Sequence, residues 1–309
     1  MPFYLFSLMV VLFLKPESCV GDARQERNDE IAETVIVLTL DDGPRREVLD
    51  GSSGLLALLK REHVPATFFV QGWQAKTNAD LARRIVESGH LVANHTYGHA
   101  TPFEWAQILA RRDKRSWQAQ SKEERDEYIR KGKIKFLRDA ERGREVLISL
   151  TGSIPLFLRP PKWAVDQNIY CELSRHSIVQ MIPERIDARK CLNRQIADSW
   201  REQKEYPYDV NTSDYEVIKW YADELKQLHM ASHNPFMRAR KERQLFTTAA
   251  AKIVNEVGKI LTRRERRGFQ IHVLVFHEHK IVTEALRALI PEWRQQGIRL
   301  VRLEEVYGL

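Results

Sequence analysis

Two aspartates stand side by side in the sequence at the end of an apolar run. In LTLDDGP, residues 38–44, Asp41 and Asp42 follow the β-branched and apolar residues 34–38 and precede Gly-Pro. The run is typical of a buried parallel strand, and Gly-Pro ends it. Adjacent carboxylates repel each other, and burial raises that cost. The pattern therefore indicates either an ordinary Asp-Gly turn or a cation held at the end of the strand.

Two histidines provide a second set of possible metal ligands. NHTYGH, residues 94–99, places His95 and His99 four residues apart. In a helical turn this spacing aims both imidazoles in the same direction. With the aspartate pair they supply two nitrogens and one carboxylate oxygen, the ligand set of an open catalytic zinc site. By itself the histidine spacing is also common on polar surfaces.

Three further apolar runs end in charged or titratable residues. They are FLRPP (157–161), VNTSDY (210–215) and VLVFHEH (273–279). In a βα barrel the carboxyl ends of the strands carry the chemistry. Together with the aspartate pair and the histidine pair, these make five polar strand endings, which favour one shared site over five unrelated turns.

The elements that must position these residues alternate along the chain. Strands are predicted at 34–40, 66–72, 90–95, 156–159, 177–182, 271–277 and 298–303, with helices between most of them. This β–α alternation predicts an α/β fold with a parallel sheet, either open or closed into a barrel. The strongly charged segments near 104–149 and 219–268 are interpreted as insertions or long helices with solvated faces. Residues 34–309 are predicted to form a single domain.

Composition restricts the class of protein. The 309-residue chain is 43% hydrophobic and 29% charged, as expected of a globular protein. A net charge of +7 favours anionic surroundings, such as a cell-wall polymer, a membrane surface or nucleic acid. No glycine-rich phosphate loop, zinc-finger spacing or RNA-binding signature supports a nucleic-acid partner, so none is predicted.

The N-terminus predicts export. Residues 1–14 are nearly all apolar but too short for a comfortable transmembrane span, so residues 1–21 are interpreted as a signal peptide and 22–33 as a linker. An uncleaved anchor is the alternative, and only then is a membrane partner expected. Cleavage would leave Cys171 and Cys191 as a possible disulfide in a periplasmic or secreted protein, or as two unrelated thiols.

In this order, the motifs resemble those of the polysaccharide deacetylases of carbohydrate esterase family four. The resemblance covers about residues 34–305 and is strongest in LTLDDGP, ATFFVQG, ARRIVESGHLVANHTYGH and FLRPP. It implies a distorted (β/α) barrel and a divalent metal, usually zinc, with cobalt, manganese or nickel as alternatives. It also implies hydrolysis of N-acetyl or O-acetyl groups on a sugar polymer.

The resemblance also implies roles for individual residues. Asp42, His95 and His99 would bind the metal, and Asp41 would be the general base. Arg159 would pair with Asp41.

On the opposite side of the reacting group, His277 would be the general acid and Asp214 would orient it. His279 faces the same side of the strand and is a rival for the acid role. In a strand, Val275 shares a face with His277 and could line the acetate pocket.

Departures from the family pattern concern the substrate groove. Lys162 and Trp163 follow Arg-Pro-Pro, where the family usually has an aromatic residue directly after the turn. Asn211 and Tyr215 stand where the family has an aspartate and a tryptophan. Lys162, Trp163 and Tyr215 are therefore predicted to contact substrate in an altered groove.

The expected function is deacetylation of a polysaccharide that contains N-acetylglucosamine, with peptidoglycan as the first choice. Two alternatives remain open from the sequence. One is an esterase for O-acetylated polysaccharide, and the other is a catalytically inactive carbohydrate-binding relative.

Overall fold

The computed structural model describes residues 34–180, 209–231 and 234–309. The predicted signal peptide (1–21), the linker (22–33) and Cys191 lie outside the described residues. Cys171 is disulfide-bonded, and its pairing with Cys191 stays a prediction. Over the described ranges, every helix is too short or too polar to cross a membrane.

The described residues form one parallel sheet of eight strands with helices around it. Pairing follows the order β5-β4-β3-β2-β1-β7-β6, and β8 pairs with β1. The sheet curves into the half-barrel expected of a distorted (β/α) barrel, and residues 33–309 make one compact unit. The predicted fold class is confirmed. The strands are β1 Val35–Gly43, β2 Thr67–Val70, β3 Leu91–Asn94, β4 Phe157–Leu158, β5 Ile178–Val179, β6 Asp209–Asn211, β7 Ile271–His277 and β8 Arg299–Val301.

Strand β1 organises the sheet because it has three partners. It pairs with β7 from Val35 to Asp41, with β8 near its start and with β2 near its end. Its even-numbered apolar residues face the helices, whereas Val37 and Asp41 lie on the other face. The carboxylate pair thus follows a strand that is fixed on both edges.

Strand prediction was accurate for long apolar runs and poor for short ones. The strand over 271–277 is confirmed residue for residue, whereas the predicted strand 298–303 stops at Val301 because helix formation begins at Leu303. The three-residue strand β6 was not among the predicted strands, although VNTSDY was noted for its polar ending, because Val210 is the single apolar residue of β6.

Eleven helices and two short 3₁₀ segments are described. The helices are α1 Arg46–Leu49, α2 Leu55–Arg61, α3 Gly72–Thr77, α4 Ala79–Glu87, α5 Pro102–Arg112, α6 Lys122–Thr151, α7 Gln167–Leu173, α8 Asp214–Ala231, α9 Pro235–Glu265, α10 Lys280–Gln295 and α11 Leu303–Val306, and the 3₁₀ segments are Trp117–Ala119 and Pro161–Trp163.

The charged segments are long helices, but they are not separate from the core as the sequence suggested. Segment 104–149 lies mostly in α5 and α6, and segment 219–268 mostly in α8 and α9. Phe136, Ala140, Gly143 and Leu147 of α6 are buried at helical spacing. Because charges cover only the outer face of α6, the charge-rich composition hid its buried face.

Candidate active site

The carboxyl ends of five strands meet at one cleft of about 490 Å³. Residues that follow or end β1, β3, β4, β6 and β7 line it, which confirms that the five polar endings share one location. The lining residues are Asp41, Asp42, His95, His99, Arg159, Pro160, Lys162, Trp163, Asn211, Tyr215, Glu216 and His277.

Asp42, His95 and His99 form a candidate metal site. One ligand atom from each lies within 4.8 Å of the others. Asp42 Oδ1 is 3.0 Å from His99 Nε2 and 3.6 Å from His95 Nε2. Burial raises the pKa of Asp42, but the adjacent imidazoles of His95 and His99, when protonated, outweigh burial and hold the pKa well below its usual range. Two imidazoles and one carboxylate suit a divalent ion such as zinc.

A backbone carbonyl fixes which nitrogen of His95 can bind a metal. His95 Nδ1 is 2.7 Å from the carbonyl oxygen of Arg159. Since a carbonyl only accepts hydrogen bonds, Nδ1 carries the proton, and in the neutral imidazole the lone pair lies on Nε2, which faces Asp42. The ring is also buried, at 2% exposed.

The two histidines converge from a loop, so the helical turn predicted from their spacing is wrong. Residues 95–100 are non-helical, and Thr96 and His99 have φ of 62° and 58°. The Thr96 hydroxyl accepts a hydrogen bond from the His99 amide at 3.1 Å. These left-handed residues fold the loop back, so that His95 and His99 lie with ring centroids 4.8 Å apart.

Helix α6 holds the histidine loop from behind. The carboxylate of Asp139 accepts a hydrogen bond from the Gly98 amide at 2.8 Å, and its backbone carbonyl accepts from Tyr97. Asn94 donates to the Ala140 carbonyl at 2.8 Å. A Cβ at Gly143 would lie 2.7 Å from the Thr96 backbone, so glycine permits this close approach. Sequence reasoning missed these contacts because the contacting residues of α6 lie more than 40 residues after their partners.

Gln71 supports Asp42 from the opposite side. Its amide donates to Asp42 Oδ1 at 2.7 Å, and its oxygen accepts from Trp73 Nε1 at 2.7 Å. Gln74 donates to the Asp42 carbonyl. Asp42 itself has φ of 72°, a conformation rare outside glycine. These contacts orient a carboxylate whose backbone is already strained.

Arg159 lies between two buried carboxylates. Its Nη1 donates to Asp41 Oδ1 at 2.5 Å, so the predicted pair with Asp41 is present. Its Nε and Nη2 bind both oxygens of Asp209, at 2.8 and 2.5 Å. Burial lowers the pKa of Arg159, but the charges of Asp209 and Asp41 outweigh it and raise it above its usual value. Arg159 therefore keeps its charge in a site where it is 1% exposed.

Asp209 was missed in the sequence, which drew attention to Asn211 instead. Asp209 also accepts a hydrogen bond from Trp163 Nε1 at 2.8 Å. Asn211 lies two residues later in the same strand and is exposed. The family pattern led us to expect a carboxylate at position 211, and in this chain Asp209 supplies a carboxylate from the same strand. The sequence feature that could have indicated Asp209 is its position one residue before Val210, at the start of a short strand that ends at the cleft.

His277 and Asp214 form the predicted couple. His277 Nδ1 lies 3.0 Å from Asp214 Oδ1, and the His277 amide donates to Asp214 Oδ2 at 2.7 Å. Asp214 is fully buried. Burial lowers the pKa of His277, but the charge and hydrogen bond of Asp214 outweigh it and raise the pKa to about 9. The imidazole is therefore protonated at neutral pH.

The rival histidine has a structural contact instead. His279 Nδ1 accepts a hydrogen bond from the Ile281 amide at 3.2 Å and so caps α10. Its ring lies near Tyr221, outside the set of residues that line the cleft. The geometry favours His277 over His279 as the proton donor.

The predicted substrate contacts divide into two groups. Lys162, Trp163 and Tyr215 line the cleft. The Tyr215 ring lies 5.4 Å from His277 and is 56% exposed, and Lys162 is ion-paired with Glu104. Val275 is 1% exposed and lies in β7 beneath the lining residues, so its contact with an acetyl group stays a prediction.

Glu278 is a second residue that sequence reasoning missed. It accepts a hydrogen bond from the Arg45 amide at 2.8 Å, and a Cβ at Gly43 would lie 1.7 Å from its Oε1. Burial raises the pKa of Glu278 to about 8 despite the opposing effect of Arg45. A neutral Glu278 thus packs against the turn after Asp42, which explains why glycine occupies position 43.

Comparison with known proteins agrees with this geometry. Residues 28–180 match the family model described as polysaccharide deacetylase. A peptidoglycan-N-acetylglucosamine deacetylase from Bacillus cereus is 34% identical over 142 residues, which is 43% of this chain and 41% of that protein. A chitooligosaccharide deacetylase from Rhizobium leguminosarum bv. trifolii is 48% identical over 64 residues, which is 21% of this chain and 28% of that protein. The chain thus matches less than half the length of these curated relatives.

A solved structure supports the fold over nearly the whole chain. A polysaccharide deacetylase from Bacillus cereus superposes with a TM-score of 0.53 and 17% identity, covering 87% of this chain and 91% of that protein. At 87% of the chain, this likeness of fold extends well beyond residues 28–180.

We expect Asp139→Ala to weaken binding of a divalent ion by about 10- to 100-fold, because outer contacts of this kind fix the ligand loop. Zinc affinity should be measured by competition with a chromophoric chelator. Asp126→Ala, on an exposed turn of the same helix, is the matched control and should keep the affinity of the unaltered protein. Unchanged zinc affinity in Asp139→Ala would show that α6 does not hold the histidine loop.

Proposed function

The chain belongs to the polysaccharide deacetylase family, and we propose that it is a metal-dependent enzyme that removes N-acetyl groups from a polysaccharide containing N-acetylglucosamine. Peptidoglycan is the proposed substrate. The main support is the arrangement of Asp42, His95 and His99 beside Asp41, with His277 lining the same cleft. The name of the Bacillus cereus relative, a peptidoglycan-N-acetylglucosamine deacetylase, supports the choice of polymer.

The proposed cofactor is zinc, with cobalt, manganese or nickel as alternatives. Asp42, His95 and His99 would hold the ion, and their donor set fits it because imidazole nitrogens and one carboxylate oxygen converge on one point. A bound divalent ion would polarise the acetyl carbonyl and lower the pKa of water at the site.

Asp41 is the proposed general base. Arg159 binds its Oδ1, while Oδ2 lies 3.7 Å from His95 Nε2 and faces the candidate metal ligands. The guanidinium orients the carboxylate. Asp41 would accept a proton from water as the oxygen attacks the amide carbon.

His277 is the proposed general acid. Its Nδ1 is bound by Asp214, so Nε2 is the nitrogen that can donate a proton to the amide nitrogen of the substrate. The carbon–nitrogen bond then breaks to release acetate and the free amine of the sugar. Because the pKa of His277 is about 9, the acid form is available over the neutral range.

The proposed location is outside the cytoplasm, because peptidoglycan is an envelope polymer. This agrees with the export predicted from residues 1–21. Action on peptidoglycan also accords with the net positive charge of the chain, which favours association with an anionic envelope.

The substrate proposal is tested by measuring acetate release from purified peptidoglycan strands, chitin oligomers and acetylxylan in the presence of added zinc. We expect peptidoglycan to give the fastest release, accompanied by new free amines. Faster release from acetylxylan would favour the O-acetyl esterase. Absence of release from all three, in a protein that still binds the glycan, would favour the inactive carbohydrate-binding relative.

The roles of the adjacent aspartates can be separated by substitution. Asp42→Ala should lower metal content, because it removes a ligand. Asp41→Asn should keep the metal but reduce turnover by about two to four orders of magnitude, because asparagine cannot accept the proton. Metal content by plasma mass spectrometry and acetate release should be measured on the same samples. Metal loss in Asp41→Asn with retention in Asp42→Ala would reverse the two roles.

The pH profile tests the His277–Asp214 couple. Activity should fall as pH rises through the pKa of His277, because the proton donor is lost. Asp214→Asn removes the largest of the charges that raise this pKa and leaves the burial that lowers it, so the alkaline limb should move toward acid by about one to three pH units. Both proteins are assayed with the same metal. Asp223→Asn, on the exposed side of α8, is the control and should keep the limb in place.

A further inference from the structure

Helices α8 and α9 form a hairpin that continues past the edge of the domain. Beyond its first turn α8 has no buried residue, and the first buried residue of α9 is Ala249. A contact between the rings of Tyr221 and Phe246, and an ion pair between His229 and Glu242, join the two helices. The outer half of the hairpin is therefore braced by its own contacts and not by the barrel core.

The hairpin extends from the same edge of the sheet as the candidate active site. Phe246 lines a cavity together with Val48 and Lys280, which belong to the helices that follow β1 and β7. Because α9 runs from there toward the start of β7, its residues before Phe246 lie beyond the catalytic edge. At 1.5 Å per residue, the ten residues back to Phe236 extend about 15 Å.

The end of the hairpin exposes apolar side chains. Phe236 is 90% exposed, Met230 is 67% exposed and Met237 is 47% exposed. Asn234 caps α9 by accepting hydrogen bonds from the amides of Phe236 and Met237, which fixes the backbone beneath two of these side chains. We call Met230, Phe236 and Met237 the apolar tip.

Cations surround the apolar tip. Four exposed cations lie within six residues of Met230 or Met237 in the described sequence of the hairpin. They are Lys226, Arg240, Lys241 and Arg243. Exposed apolar side chains with exposed cations nearby in the same hairpin match the headgroup region of an anionic bilayer, where the apolar groups enter the acyl boundary and the cations meet phosphate.

We propose that the α8–α9 hairpin docks on an anionic lipid surface, with the apolar tip inserted at the level of the headgroups. The candidate active site would then face the membrane at a distance set by the outer half of the hairpin. This contact goes beyond the proposed deacetylation, because it does not depend on the metal site. It would also be separate from any membrane contact made by residues 1–14.

Hydrogen exchange of the full chain distinguishes the hairpin from the N-terminal segment. On addition of vesicles of phosphatidylglycerol and phosphatidylcholine, peptides covering 226–243 should exchange more slowly, and vesicles of phosphatidylcholine alone should give little change. Salt should weaken the effect, since surface charges are screened. Unchanged exchange of 226–243 in a vesicle-bound protein would overturn the proposal, because the chain would then be held elsewhere.

Substitutions at the apolar tip test the mode of docking. Phe236→Ser combined with Met230→Ser should abolish the protection, whereas Ile154→Ser, at a side chain that is 60% exposed before β4, should leave it intact. Arg240→Gln combined with Lys241→Gln should weaken the apparent affinity of the hairpin for anionic vesicles by about 30-fold, because two cations are lost. This affinity is read from the dependence of hairpin protection on lipid concentration. Arg266→Gln with Arg267→Gln, beyond the other end of α9, is the matched charge control.

The remaining outcomes decide against a lipid partner. Protection of 226–243 that depends on protein concentration without vesicles would indicate a second copy of the chain. Protection by soluble peptidoglycan fragments, but not by vesicles, would indicate a polymer contact. Acetate release from soluble oligosaccharide should be unchanged in Phe236→Ser, so failure of lipid docking and failure of the proposed deacetylase activity are distinguishable.

Discussion

The organisation of the site depends on a buried guanidinium. Arg159 is 1% exposed and must be paired, because an uncompensated buried charge costs several kcal/mol. Asp41 and Asp209 supply the pairing, and the Arg159 carbonyl fixes the proton on His95. One residue thus connects the proposed base, a candidate metal ligand and the strand β6. Its planar face also lies 3.8 Å from the ring centroid of Phe69, which fixes its plane.

Formal charge at the cleft is consistent with a divalent ion. Four aspartates are set against one guanidinium and one imidazolium, which leaves two negative formal charges for a cation to balance. They are Asp41, Asp42, Asp209 and Asp214, set against Arg159 and His277. Lys162 and Glu216 also line the cleft, and their opposite formal charges leave this balance unchanged. Glu278 does not add to the excess, because burial raises its pKa to about 8. The aspartate pair at the end of β1 is thus one part of a larger balance of charges.

Residues far from the cleft decide its geometry. Helix α6 contributes Asp139 and Gly143 to the support of the histidine loop, although its sequence is dominated by surface charge. Helix α8 begins at Asp214 within the site and continues into the exposed hairpin. The same elements therefore carry the site and the surfaces around it, so the division of the chain into a core and charged insertions does not describe this fold.

The sequence by itself determined the class of fold and indicated the polar strand endings that the structure brings to one cleft. Those features are local, since a buried strand and the polar residue after it are contiguous in the chain. Asp209, Asp139 and Gln71 were decided only by the tertiary structure, because each acts on a residue distant in sequence. Gln71 does follow the apolar run of β2, but nothing in that run indicates its contact with Asp42. The loop that carries His95 and His99 shows the same limit. The spacing correctly predicted that the two imidazoles converge, but it predicted a helical turn. In the structure a loop with left-handed residues, held by α6, brings the rings together. Packing against another part of the chain thus decides the conformation of the loop.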